Sequence, residues 1–161
     1  MKKCFAPWID SQTRILIVGT MPSEISLAQN MYYANPQNRF WKYMGKILNE
    51  DLLGASKEKR KDMLLSHKIG LWDALSFCER EGSLDANIKQ EKPNNFNSYP
   101  QIKFYAFNGQ KAFAFFKKYN SDLLKTDNYI VLPSTSPANA SIKDEIKFKL
   151  WQESIGKYDF K

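Results

Sequence analysis

The chain has 161 residues, 43% hydrophobic and 25% charged, a balance that suits one soluble globular domain spanning residues 1–161. No apolar run approaches the roughly 18–20 residues of a membrane span, and the N-terminal MKKCFAPWID lacks the apolar core of a secretory signal. Two cysteines, Cys4 and Cys78, and one histidine, His67, are too few for a disulfide framework, a four-cysteine cluster or a zinc site, so the expectation is a cytoplasmic protein with reduced thiols, while the net charge of +7 suits nucleic acid or anionic lipid.

In chain order, RILIVG (Arg14–Gly19) is a short β-branched apolar run closed by glycine, which predicts a buried parallel strand. A long loop is expected next. NRFWKYMGKILNE then has helical spacing, with Phe40, Trp41, Met44, Ile47 and Leu48 on one side. SKEKRKDMLLSHK predicts a second helix with a charged face. IGLWDAL (Ile69–Leu75) predicts a second strand running into a loop, and KQEKPNNFNSYP (Lys89–Pro100) a flexible connection. QIKFYAFNG (Gln101–Gly109) and QKAFAFFKKY predict a third strand and its helix. NYIVLPSTSPANA predicts a fourth strand meeting a Pro/Ser loop, and SIKDEIKFKLWQESI a last helix with Ile142, Ile146, Leu150 and Trp151 inward.

Strands alternating with helices predict an α/β fold with a parallel sheet covered on both faces. Ligands of such folds sit outside the carboxyl ends of the strands. Three segments there carry unusual side chains: GTMPS, WD with CEREGSLD, and LPSTSPAN. GTMPS has a single glycine and lacks the spacing of GxGxxG or a Walker loop. His67 falls in a helix-to-strand turn and has no Ser–Asp partners in the pattern, so it is expected to be structural.

Taken together, GTMPS…YYANPQNRFW, IGLWDAL…CEREGSLD, AFNGQKA and LPSTSPANA resemble the hypoxanthine-DNA glycosylase branch of the uracil-DNA glycosylase superfamily. The resemblance runs from about Phe5 into the last helix. ANPQNRFWK is also similar to the mismatch-specific uracil/thymine branch. It implies a three-layer α/β/α fold with a four-stranded parallel sheet and a pocket for a flipped-out base. It implies a DNA repair enzyme that hydrolyses an N-glycosidic bond and leaves an abasic site, without metal or other cofactor. The expected partner is DNA holding a deaminated base, met by a monomer with no membrane association. Removal of uracil or another deaminated base, and a noncatalytic DNA- or nucleotide-binding module, are the alternatives.

The resemblance gives each motif residue a role. Asn38 matches the catalytic asparagine, whose amide orients water without titrating; the same residue type is a favoured helix N-cap. The sister branch carries an asparagine in its first motif where this chain has Met21, which argues against efficient uracil removal and makes Met21 an apolar pocket wall. Thr20 offers backbone to the pocket floor, and Tyr33 aligns with the aromatic that stacks on the base. Asn35 stands where the family usually has histidine and is expected to shape the loop.

Asp73 follows the second strand, where a base-reading side chain belongs. Its carboxylate could accept from the N1–H of hypoxanthine and would repel the N1 lone pair of adenine, or it could simply cap a turn. Ser134 takes the place of a histidine or asparagine in the last motif. Ser136 could hold a flanking phosphate, and Ala138 and Asn139 would reach toward the gap left by the base. Asn108 in AFNG would support the pocket or contact the backbone, beside a glycine that permits close approach.

Overall fold

The computed structural model describes residues 2–138 and 141–157. Its elements in chain order are β1 (Lys2–Lys3), β2 (Ile15–Gly19), α1 (Glu24–Gln29), α2 (Phe40–Leu48), α3 (Lys57–Ser66), β3 (Ile69–Asp73), β4 (Leu75–Glu79), β5 (Lys89–Pro93), β6 (Phe104–Asn108), α4 (Gln110–Asn120), β7 (Tyr129–Leu132) and α5 (Asp144–Gly156). The four strands expected from the apolar runs form one sheet in the order β3-β2-β6-β7, parallel at every pairing.

Strand alternation divides the core. Ile15 and Ile17 face one way, with Leu71 and Ala106, onto Phe40, Trp41 and Met44 of α2 and Trp151 of α5. Leu16 and Val18 face the other, with Tyr105 and Phe107, onto Ala112 and Phe116 of α4. All five residues of β2 are buried. Burial on both faces is what removes polar alternation from the strand and leaves a continuous ILIV run.

Several expectations need correction. The loop expected after β2 contains α1, started by the Ser23 hydroxyl accepting the N–H of Ser26. The flexible connection over Lys89–Pro100 is instead built: β5 pairs antiparallel with β4, and β1 pairs with the other edge of β4 to complete a small second sheet. Phe96 is buried there, and the Asn94 amide donates to the carbonyls of Asp73 and Leu75.

The inner face of α5 also differs. Ile146 and Leu150 are 52% and 40% exposed, and Ile142 before the helix is exposed too, whereas Lys147, Trp151 and Ile155 are buried. Trp151 sets this rotation. Its ring meets Phe40 edge-on at 5.9 Å, and its indole N–H donates to the carbonyl of Pro133 at 2.9 Å. Asp144 fixes the other end, accepting from the Tyr43 hydroxyl and pairing with Arg39 at 2.9 Å.

Candidate active site

A cavity of about 880 Å³ opens at the carboxyl ends of the sheet, within the roughly 300–1,000 Å³ usual for small-molecule sites. The segments after β2, β3, β6 and β7 line it, as the motif order predicts. Among the described residues that the sequence singled out, Asn38, Thr20, Met21, Tyr33, Asp73, Asn108, Ser134, Ser136 and Ala138 all border it. Asn139 lies outside the described residues.

Asp73 ends β3 at the bottom of this cavity and is 3% exposed. Its Oδ2 is buried with no hydrogen-bond partner among the described residues. Burial, and then the negative charge of Asp85, push the carboxyl up to about 7, and Arg80 pulls it down. A buried acceptor of this kind costs free energy unless a donor reaches it.

Gly19 makes the approach possible. A Cβ there would lie 2.5 Å from Asp73 Oδ1 and 2.8 Å from the Tyr33 hydroxyl. Tyr33 itself adopts φ 53°, a left-handed conformation uncommon for a bulky residue. Its ring is stacked on Phe40, with centroids 4.2 Å apart. Burial and the Asp73 charge hold its phenol well above the usual tyrosine range, so the hydroxyl remains a neutral hydrogen-bonding group.

On the α2 side, Asn38 Oδ1 accepts the N–H of Phe40 at 3.0 Å, and its own N–H donates to the carbonyl of Asn35 at 2.9 Å. Asn38 thus supports the first turn of α2 and borders the cavity at once. Asn35 Oδ1 accepts the N–H of Gln37 at 2.9 Å, an Asx turn that shapes the loop as expected.

On the β7 side, Asn108 is paired with Thr135 and also hydrogen-bonds the Tyr33 hydroxyl. Its Nδ2 donates to Thr135 Oγ1, and its Oδ1 accepts the Thr135 N–H. The carbonyl of Thr135 accepts the N–H of Arg39, which joins this loop to the start of α2. Ser134 Oγ accepts the N–H of Ser136, and Ser136 Oγ accepts the N–H of Ala138. Gly109, at φ 99°, lets the chain pass close to Ser134; a Cβ would sit 3.1 Å from that of Ser134. Met21 is buried against Leu75 and Cys78. His67 is buried at the end of α3, outside the cavity lining.

Three residues that build the cavity had no sequence cue strong enough to single them out. Thr135 is the joint just described. Asp85 borders the cavity on the α4 side, and Arg80 braces the loop that carries it. Both Arg80 and Asp85 belong to CEREGSLD, whose charged residues follow an ordinary loop polarity in the sequence. Among the described residues, no group of three or more His, Cys, Asp or Glu side chains could hold a metal ion, and no helix is long and apolar enough to cross a membrane.

The family model described as the uracil DNA glycosylase superfamily matches residues 6–154. A hypoxanthine DNA glycosylase of Methanosarcina barkeri is 40% identical over 115 residues, covering 69% of this chain and 73% of that protein. One from Methanosarcina acetivorans is 37% identical over 145 residues, covering 86% and 89%. The solution NMR structure of a Methanosarcina acetivorans protein assigned to the uracil DNA glycosylases superposes with a TM-score of 0.83 at 32% identity, covering 98% of both chains.

Proposed function

Because the chain belongs to the uracil DNA glycosylase superfamily, we propose that its cavity receives a deaminated base flipped out of DNA, hypoxanthine first, and that the protein hydrolyses the N-glycosidic bond to leave an abasic site. The observation that carries this is the unpaired, buried Asp73 Oδ2 at the bottom of a cavity that Asn38 also borders. The relatives named as hypoxanthine DNA glycosylases support the choice of base.

The base is drawn from the stack, at a cost of a few kcal/mol that a mispaired lesion reduces. Tyr33, backed by Phe40, stacks on it. Ionised Asp73 accepts the N1–H beside O6; adenine offers a lone pair at N1 and is repelled. Asn38 orients the attacking water through its amide, held against the start of α2. Met21 closes the cavity with an apolar wall, and the backbone of Thr20 forms part of its floor. Ser134 faces the base, while Ser136 and Ala138 follow the DNA strand and the gap in it. The Asn108–Thr135 pair holds that loop in register.

No metal or organic cofactor has a part in this reading. The reading is of a single-domain monomer on DNA in the cytoplasm, where the thiols of Cys4 and Cys78 stay reduced. A second reading, uracil excision, rests on Asp73 as well, because uracil presents an N3–H between carbonyls. Met21 in place of an amide weighs against it.

The test is incubation with matched oligonucleotides, single- and double-stranded, holding inosine, uracil or xanthine, with chelator present, followed by alkaline cleavage at abasic sites. Cleavage at inosine above the other two is expected. No cleavage at any of the three by folded protein would overturn the reading.

A further inference from the structure

The cavity lining contains two carboxylates among its described residues, and only Asp73 has a place in the scheme above. The other, Asp85, begins a short 3₁₀ turn, Asp85–Asn87, on the loop between β4 and β5. It is held there by a built structure. The Arg80 side chain is 1% exposed and lies 3.5 Å from Asp85 Oδ1. Its remaining nitrogens donate to the carbonyls of Pro22 and Gly82, so one guanidinium ties the loop after β2 to the loop that carries Asp85. Ser83 Oγ, accepting the N–H of Glu24, adds a second tie between them.

We infer that Asp85 is a second catalytic group, a fixed negative charge that stabilises the deoxyribose as the glycosidic bond breaks. The inference rests on the glycosylase reading. In that reaction the electron pair of the C1′–N9 bond leaves with the base, positive charge grows on C1′ and O4′, and the water oxygen then bonds C1′ and releases its proton to solvent. Asp85 forms no bond; it acts through its field on a cation-like transition state. Asn38 is a neutral amide and Met21 is apolar, so neither supplies that charge.

Depth separates the two carboxylates. Asp73 is buried at the strand end, where the edge of an entering base arrives, whereas the Asp85 side chain is 39% exposed. A flipped nucleotide remains tethered to the strand outside, so its sugar lies nearer the mouth than its base. Side also separates Asp85 from Asn38. Asp85 takes a hydrogen bond from the Thr20 hydroxyl and feels Lys111 in the first turn of α4, while Asn38 stands at the start of α2, across the sheet. Burial pushes the Asp85 carboxyl up, and Arg80, Thr20 and Lys111 oppose that rise.

The experiment compares two abasic duplex probes, a cationic pyrrolidine analogue and a neutral tetrahydrofuran. Wild type should bind the cation more tightly, by about tenfold or more. Asp85→Asn keeps an acceptor for Arg80 and Thr20 but removes the charge. It should lower that preference at least about fivefold, leave tetrahydrofuran affinity equal or higher, and slow single-turnover inosine excision about tenfold or more. Asp85→Glu should recover part of the rate, and Asp85→Ser gives a second neutral variant should the asparagine fail to fold. Unchanged preference and rate in a folded neutral variant would overturn the inference. So would an equal loss of both affinities with early melting, which marks Asp85 as nothing more than the counterion of Arg80. In either case inosine excision by wild type leaves the glycosylase reading standing; its absence in wild type removes both.

Discussion

Asn108 and Thr135 hold each other through two hydrogen bonds, each 2.9 Å, one from the Asn108 amide to the Thr135 hydroxyl and one from the Thr135 N–H to the Asn108 carbonyl oxygen. Both residues are buried. The pair joins the end of β6 to the loop after β7, and the Thr135 carbonyl carries the connection on to Arg39. Removing one partner leaves the other unpaired in the interior. Asn108→Ala and Thr135→Val should each cost about 1–3 kcal/mol, and the double variant should cost less than the sum. Denaturant unfolding of the four proteins measures this; strict additivity would break the pairing argument.

The position of Asp73 gives a pH signature. Burial pushes its carboxyl from the ordinary aspartate value of 3.8 up to about 7. The stabilisation that goes with this raised value is fully present below the unfolded value and is lost as pH rises through about 7. The stability of Asp73→Asn relative to wild type should therefore grow between about pH 4 and 7, by an amount on the order of a few kcal/mol, and level off above. Activity runs the other way. Reading N1–H needs the ionised form, so wild-type excision of hypoxanthine should rise with pH toward 7. Asp73→Asn leaves only a weaker, neutral acceptor, so it should excise more slowly at pH 7 and without that limb. A wild-type rate that is flat from pH 5 to 8 would remove Asp73 from base reading.

Much of the cavity lining was legible because it sits in short, ordered motifs at strand ends. The strands announced themselves because burial on both faces writes continuous ILIV-type runs. What stayed hidden is held by contacts that leave little trace in local pattern. β5 has the sequence KQEKP and mostly exposed side chains; only its backbone pairing with β4 makes it a strand. The rotation of α5 follows from Trp151 meeting Phe40 and Pro133, partners that the helix's own spacing cannot reveal. Thr135 is flanked by serines, and nothing local says which hydroxyl turns inward. Arg80 is one charge in a charged loop until its burial is seen.

Gly19 offers a prediction that composition would not suggest. Its φ is unremarkable, so the constraint is space: a Cβ would collide with the Asp73 carboxylate at 2.5 Å and the Tyr33 hydroxyl at 2.8 Å. Gly19→Ala must displace one of two groups that the reading assigns to the base. Base excision should fall about tenfold or more, while affinity for undamaged DNA, made through phosphates, should hold within about twofold. Equal loss of both would mean that the substitution disturbs the fold and not the base site.

Asn38 carries the sharpest expectation, because it has two jobs in one side chain. Its Oδ1 accepts the N–H of Phe40 at the start of α2, and its position on the cavity supports the proposal that its amide orients the water. Asn38→Ala loses both. It should cost roughly 0.5–2 kcal/mol of stability and, since positioning is worth several kcal/mol in the barrier, slow single-turnover excision about a hundredfold or more. Asn38→Ser separates the jobs. A serine hydroxyl is a good helix-start acceptor but has no amide to set the water, so stability should return toward wild type while the rate stays low. Melting curves and single-turnover rates at saturating enzyme, taken on the same samples, read the two effects independently. A serine variant that recovers rate and stability together would show that Asn38 serves the helix alone, and the water would then have to be held by another group at the cavity.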